Sequence, residues 1–150
     1  DRALGTRHTP VAIAVYLVAQ FAGGIGGAVL ANVMFETPTA ISTAARATPG
    51  TLLGEVVATA GVVLVIFALV RTGRATAVAP AVGAYIGAAY WFTSSTSFAN
   101  PAVTIGRLFT DTFAGIGPAS VLPFLAAQAV GAAIGIALVL LFFPTRKASS

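Results

Sequence analysis

The stretch from Ala75 to Gly106, ATAVAPAVGAYIGAAYWFTSSTSFANPAVTIG, runs without a charged side chain. Its first half is apolar and close to the length of about 20 residues that a helix needs to cross a bilayer. Its second half contains a run of Ser and Thr at 93–97 and the sequence Asn-Pro-Ala at 100–102. The segment 93–120 is too apolar for an ordinary loop and too short for a loop plus a full span, so we expect it to carry the function.

Three neighbouring runs are also apolar and nearly free of charge. Residues 9–35 and 112–145 contain no charged side chain, and between Arg46 and Arg71 the only charge is Glu55. Charged residues make up 8% of the chain, against about 25% in a typical soluble domain. These runs predict an all-α membrane protein with four transmembrane helices, at 10–34, 52–71, 76–93 and 121–143.

The scarcity of reactive side chains argues against several classes of function. The chain has no Cys, one His and four acidic residues, so we expect no disulfide, no metal site and no cofactor. Its basic residues are scattered, whereas a nucleic-acid-binding protein collects them in a patch or stripe. The hydroxyl groups at 93–97 have no His or Lys placed to activate them, so we expect a polar loop there and not an enzyme.

The basic residues predict the orientation of the spans. Six of the eight lie where four spans place them on one side, and basic residues collect on the cytoplasmic side. With this parity, the segment 100–113 does not cross the membrane but enters from outside and returns. Irregular backbone at membrane depth is tolerated where it is buried in protein or lines a cavity, so this segment indicates a pore. The six residues are Arg2, Arg7, Arg71, Arg74, Arg146 and Lys147.

Two of the spans are related by an internal repeat. Each has an Ala-Gln sequence followed by two Gly residues, which is either ordinary helix packing or a transporter-like repeat. Because the span at 121–143 follows the re-entrant segment 100–113, the span at 10–34 should follow a similar segment. We therefore expect the C-terminal portion of a longer membrane domain, with the last helix of one repeat at 10–34 and the next repeat at 52–143. The matching positions are Pro10, Gln20, Gly23 and Gly27, and Pro118, Gln128, Gly131 and Gly135.

Asn100-Pro101-Ala102 predicts the start of a half-helix at 101–113. Asn is a favoured N-cap and Pro is favoured at the first helical position, and Gly115 is suited to follow the helix end. A helix start is one interpretation of the motif. The other is a pore element, because a helix N-terminus carries free N–H groups and partial positive charge that repel cations, and the Asn100 amide can donate to a permeating oxygen atom.

The stretch Ser97–Arg107, SFANPAVTIGR, resembles the aquaporin (major intrinsic protein) family. The sequences around Gln20, Gln128 and Gly54-Glu55 are similar to the family's third, sixth and fourth helices, so the resemblance covers essentially the whole chain. It implies a six-helix bundle with inverted repeats, assembled as a homotetramer in the lipid bilayer. It also implies a channel for small neutral solutes, namely water and glycerol. Relative to the family, this chain lacks the first two helices and the first half-helix.

One departure from the family bears on the pore. The family carries Arg directly after this Asn-Pro-Ala, and this chain has Val103. The family's constriction His corresponds to Ala88, and a further pore position corresponds to Ser97. The resemblance therefore implies a wider, less polar constriction. The pattern is similar to a bacterial subgroup associated with arsenic resistance, which implies neutral arsenite as a solute and the inner membrane as location.

Arg107 and Glu55 each allow two interpretations. Arg107 lies one helical turn after Val103, on the same face, and either stands at the outer mouth or, as we prefer, pairs with Asp111. Glu55 is an acidic residue inside a predicted span, and such residues are functional candidates, although an interfacial position is the plain alternative. The resemblance implies that Glu55 supports the 93–100 loop structurally.

Gln20 and Gln128 are implied to give structural support to the pore loop as well. The leading function is thus a passive channel. A secondary transporter fragment remains an alternative, with Glu55 as its only candidate ion ligand. A non-transporting membrane scaffold is another alternative, and only the Gly pairs support it.

Overall fold

A computed structural model describes residues 9–144 of the chain. These residues form an all-α structure without a β-strand, as predicted. Four of the basic residues on which the predicted orientation rests, Arg2, Arg7, Arg146 and Lys147, lie outside the described residues. The helices are α1 (Pro10–Met34), α2 (Pro49–Arg71), α3 (Val78–Phe92), α4 (Pro101–Gly106) and α5 (Pro118–Phe142), with 3-10 turns at Ala75–Ala77 and Arg107–Phe109.

Four of these segments are long and apolar enough to cross a membrane, namely α1, α2, Ala75–Phe92 and α5. The prediction of four spans is therefore confirmed. Two spans begin earlier than the sequence pattern indicates, with α2 starting at Pro49 instead of 52 and α5 at Pro118 instead of 121. The apolar run marks only the part of a helix that lies in lipid, whereas Pro is accommodated at the first helical position ahead of that run.

Polar residues placed before prolines fix three of the helix starts. The hydroxyl of Thr9 accepts from the N–H of Ala12 at 3.2 Å, and Pro10 follows it. At α2, Thr48 and Thr51 form a reciprocal capping box, each hydroxyl accepting the backbone N–H of the other. These bonds satisfy N–H groups that would otherwise have no partner at a helix start. The third start, that of α4, belongs to the candidate site.

The chain divides into two compact units. The first comprises 9–47 and Asn100–Leu125, and the second comprises Thr48–Ala99 and 126–144. In the first unit, α1 packs on α4 and on the 3-10 turn that follows it. In the second unit, α2 packs on α3 and on the later turns of α5. Each unit is described by its own contacts below.

The Gly pairs of the repeat have different surroundings in the two units. In the second unit, a Cβ atom on Gly131 would lie 2.5 Å from the Val56 carbonyl oxygen, and one on Gly135 would lie 2.7 Å from the Ala60 carbonyl oxygen. These two glycines therefore allow the close helix approach expected of small residues in membranes.

In the first unit the close approach falls on a different glycine from the expected pair. Gly23 and Gly27 face open space among the described residues. Gly24 provides the contact instead, since a Cβ on it would lie 2.7 Å from the Ala102 carbonyl oxygen. A Cβ on Gly106 would in turn lie 2.5 Å from the carbonyl oxygen of Gly24. Close packing of α1 on α4 thus depends on two glycines that face each other.

The expected helix at 101–113 is too long. The α-helix ends at Gly106, a 3-10 turn continues to Phe109, and Thr110 is extended and pairs with Thr39 in an isolated β-bridge. The physical reason is competition for carbonyl groups, because that of Leu108 accepts from the N–H of Ser42 at 2.8 Å instead of continuing a helix. Gly115 accordingly lies in a loop, well past the helix end that it was expected to mark.

Candidate functional site

The loop that leads into α4 has an unusual backbone. Thr96, Ser97 and Ala99 all have positive φ values, of 62°, 51° and 49°. Non-glycine residues rarely adopt this conformation, because the Cβ atom crowds the carbonyl group that follows. Such strained segments persist only where surrounding structure holds them, so the partners of this loop identify the residues on which the site depends.

Glu55 of α2 is the main partner of the loop. Its side chain is fully buried. One carboxylate oxygen accepts from the N–H of Phe98 at 2.8 Å, and the other accepts from the N–H of Ala99 at 2.9 Å. Backbone N–H donors to a carboxylate are among the stronger hydrogen bonds in proteins. The interfacial position considered for Glu55 is therefore wrong, since its carboxylate faces the loop.

The two glutamines of the repeat lie in different surroundings. Gln128 is 3% exposed, and its amide nitrogen donates to a carboxylate oxygen of Glu55 at 2.7 Å. The carboxylate thereby receives three N–H donors. Gln20 is exposed on α1 and has no hydrogen-bond partner among residues 9–144. The structure thus brings Gln128, but not Gln20, to the loop.

Small and hydroxyl residues complete the support of this loop. The N–H of Ser97 donates to the hydroxyl of Ser95 at 3.2 Å, and the hydroxyl of Ser94 donates to the carbonyl of Gly50 at 2.7 Å. A Cβ on Gly54 would lie 3.0 Å from the Ser94 hydroxyl and 3.1 Å from the nitrogen of Ser95. The loop therefore approaches α2 at a point where a larger side chain would press against it.

The two constriction positions taken from the family pattern differ in burial. Ser97 is buried, and its hydroxyl has no hydrogen-bond partner within the part of the chain that the structure describes. Ala88 is exposed on α3, next to the buried Ala89. Neither side chain carries a charge, so both positions are compatible with an uncharged solute.

Asn100 begins α4 as the N-cap. Its side-chain oxygen accepts from the N–H of Ala102 at 2.8 Å, and Pro101 occupies the first turn. Its backbone carbonyl accepts from both the N–H and the hydroxyl of Thr104, each at 3.0 Å. The side-chain oxygen is therefore engaged, whereas the amide nitrogen bonds to no acceptor among the described residues. This orientation leaves the donor end of the amide available to a ligand oxygen.

Val103 and Arg107 line one cavity within the first unit. It has a volume of about 240 Å³, and its remaining walls are Gly and Ala residues of α1 together with Gly106. A second cavity of about 230 Å³ shares Ala28, Ala31 and Arg107 with the first and is bounded elsewhere by the loops that follow α1 and α4. Arg107 is thus the charged side chain of both cavities.

A comparison with known proteins agrees with this geometry. The chain is 47% identical over 137 residues to aquaglyceroporin AqpS of Rhizobium meliloti (strain 1021), and the match covers 91% of this chain. The chain belongs to the aquaporin family. It spans 58% of the length of that curated relative. No family model and no solved structure matches it.

Family membership and the four apolar helices make this aquaporin-family chain a multi-pass membrane protein. A residue that sequence reasoning missed holds the 3-10 turn that follows α4. Asn32 of α1 is 3% exposed, and its amide nitrogen donates to the Phe109 carbonyl at 2.9 Å and to the Thr39 hydroxyl at 3.1 Å. Its signal in the sequence is an amide side chain near the end of the apolar run 10–34, which also contains Gln20.

Asp111 has partners other than the expected one. Its carboxylate accepts from the backbone N–H of Thr43 at 2.8 Å and from the hydroxyls of Thr43 and Ser42. The Thr43 backbone N–H, followed by its hydroxyl, lowers the pKa of Asp111 from its usual 3.8. The expected pair of Asp111 with Arg107 is therefore wrong, because the helix ends before Asp111 and Thr43 takes its carboxylate. The guanidinium of Arg107 makes no hydrogen bond to another residue of the described 9–144, and only its backbone is bonded, for example to the N–H of Ile116.

Proposed function

We propose that this chain belongs to a passive channel for small uncharged solutes and is not part of an enzyme. The observation that carries the proposal is the donor end of the Asn100 amide at the start of α4, which has no acceptor among the described residues. The aquaglyceroporin name of the relative that is 47% identical supports glycerol and water as solutes. In this proposal, the solute passes Asn100, Pro101 and Ala102. The positions that select the solute are Val103, Ala88, Ser97 and Arg107.

The chemistry of these residues suits neutral solutes. A polyol or water molecule exchanges a hydrogen bond with solvent for one from the Asn100 amide, whereas a cation would lose hydration without a compensating negative charge. Val103 contributes an apolar wall and no fixed charge. Asn, Ser and Val side chains do not titrate, so passage requires no proton transfer. We infer that the neutral acid form of arsenite, which resembles a small polyol in charge and hydroxyl content, also passes.

The test is solute flux into vesicles that contain the native protein. Asn100→Leu removes the amide donor at similar volume, and we expect glycerol flux to fall about tenfold, the effect of losing one hydrogen bond of about 1.4 kcal/mol in the pore. Thr76→Val is the control, because Thr76 is exposed in the turn before α3. Flux that is equal in Asn100→Leu and Thr76→Val would refute the role of Asn100.

An ion-coupled transporter is the second candidate, since Glu55 is a buried carboxylate. Its oxygens already accept three N–H groups, which leaves little capacity for a transported cation. Glycerol flux that follows a proton or sodium gradient and saturates would favour this candidate. Flux that depends only on the solute gradient would favour the channel.

We further infer assembly as a homotetramer in the inner membrane of a bacterium. The family resemblance supports the tetramer, and the bacterial relative supports the location. The mass of the native protein in detergent, measured by light scattering with the detergent subtracted, tests the assembly. A monomeric mass would refute it.

A further inference from the structure

Arg46 lies half-buried in the loop between α1 and α2 and reaches to the segment that follows α4. Its guanidinium donates hydrogen bonds to the carbonyls of Phe113 and Gly115. The guanidinium carbon also lies over the Phe113 ring, 5.7 Å from the ring centroid, in a cation–π contact. A planar guanidinium can bond two carbonyl oxygens and stack on an aromatic ring at once, which the point charge of Lys cannot do.

The backbone next to Arg46 is fixed to the same part of the first unit. The N–H groups of Arg46 and Ala47 donate to the Ser120 hydroxyl at 2.9 and 3.2 Å, and Ser120 is 3% exposed. The N–H of Gly117 donates to the Ala44 carbonyl at 2.7 Å. The guanidinium therefore extends from a fixed point, and its bonds define where the carbonyls at 113 and 115 lie.

The segment that Arg46 holds is a wall of the second cavity. Thr112 and Ala114, on either side of Phe113, line the cavity of about 230 Å³ that Arg107 also lines. The segment from 110 to 117 contains no helix. Bonds to other segments must keep it in place instead of a helical ladder, namely backbone bonds such as that of Gly117 to Ala44 and side-chain bonds such as those of Arg46. A displacement of this segment would change the width of the cavity.

We propose that Arg46 is a positioning residue that sets the width of this cavity and thereby the largest solute admitted. The proposal rests on the proposed channel function for its solutes, but its structural part does not. Arg46 contributes through its two-pronged geometry rather than through its charge. Replacement by Lys should therefore behave more like replacement by Ala than like the wild type.

The structural part is tested by cysteine labelling. The 150 residues contain no Cys, so Ala114→Cys, with any cysteine elsewhere in the native protein replaced, places one thiol on the cavity wall. We expect both Arg46→Ala and Arg46→Lys to raise the rate at which this thiol reacts with an impermeant maleimide about tenfold. This factor corresponds to the loss of one charge-assisted hydrogen bond from the closed state of the segment 110–117. Arg74→Ala is the control, because Arg74 is an exposed arginine in the turn after α2.

The functional part is tested by the permeability of ribitol relative to glycerol in vesicles. Either Arg46 variant should raise this ratio about tenfold, comparable to the discrimination that a fitted site achieves for one methylene group. An Arg46→Lys protein with wild-type labelling and a wild-type ratio would show that charge alone matters and would overturn the proposal.

The labelling result separates this inference from the proposed function. A native protein without glycerol flux would refute the channel, and labelling would still decide whether Arg46 holds the segment. Unchanged labelling in the Arg46 variants would refute the inference whatever the flux. If Arg46→Ala fails to reach the membrane, Arg46→Lys carries the same comparison.

Discussion

Replacement of Glu55 by Gln tests how the loop before α4 is held. The carboxylate accepts from Phe98 at 2.8 Å, from Ala99 at 2.9 Å and from Gln128 at 2.7 Å. In Gln, one of the two oxygens becomes an NH₂ group, which donates and cannot accept. Gln128 can rotate its amide to present its oxygen, but a backbone N–H cannot. Either Phe98 or Ala99 is therefore left facing a donor.

The cost follows from these bonds. A buried N–H without an acceptor costs about 1–3 kcal/mol, and the remaining backbone bond loses its charge assistance, which is worth about 1 kcal/mol. We therefore expect Glu55→Gln to lower the free energy of unfolding by about 2–4 kcal/mol. Because Thr96, Ser97 and Ala99 have left-handed backbone, the loosened loop should relax away from this conformation, and glycerol flux should fall with it.

The assay is denaturant unfolding in detergent micelles, combined with glycerol flux in vesicles. Glu36→Gln is the matched control, since Glu36 is exposed and its carboxylate bonds to no other described residue. It should change the free energy of unfolding by no more than about 0.5 kcal/mol. If Glu55→Gln unfolds like Glu36→Gln and keeps its flux, the loop does not depend on the carboxylate and the reasoning fails.

Two further predictions concern packing and pH. Gly131→Ala should lower the free energy of unfolding by about 1–3 kcal/mol through overpacking, because its Cβ would lie 2.5 Å from the Val56 carbonyl oxygen. Gly27→Ala is the control, since a Cβ at Gly27 meets open space. Equal unfolding curves for the two variants would contradict the close approach. The pKa of Asp111 is lowered in the folded state, so its bonds to Thr43 stabilise that state at pH values above 3.8, the pKa in the unfolded chain. This stabilisation is lost as the pH falls below 3.8 and passes the lowered pKa of the folded state. Between pH 6 and about 2.5, the temperature of thermal unfolding should therefore fall less steeply with decreasing pH in Asp111→Asn than in the wild type. Parallel plots of this temperature against pH for the two proteins would rule this contribution out.

The half-helix α4 illustrates why distant residues matter in this chain. At six residues it is far shorter than the 12–15 that an isolated helix needs for even marginal stability. The N–H of Ala99, two residues before it, donates to Glu55, and the carbonyl of Phe109, at the end of the 3-10 turn that follows it, accepts from Asn32. Its N-cap alone would not keep it folded, so it depends on contacts within the first unit such as that of Asn32 of α1.

The sequence by itself determined the features that depend on local chemistry. Apolar runs with at most one charged residue located the four spans, because hydrophobic length is a property of consecutive residues. The motif at Asn100 and Pro101 located the start of α4, since the cap and the proline act within one turn. Glu55 was identified as a support of the loop, but only through resemblance to a family, because its partners lie 43 and 44 residues away.

The tertiary structure decided the rest, for reasons that no local pattern contains. The half-helix ends at Gly106 because the carbonyl of Leu108 bonds to Ser42 of another segment. Asp111 bonds to Thr43, and Arg107 lines the cavity, although their spacing in the sequence favoured an ion pair between Arg107 and Asp111. Hydrogen bonds between distant segments arise only when the chain has folded, so a side chain with several available partners acquires its role from the tertiary structure.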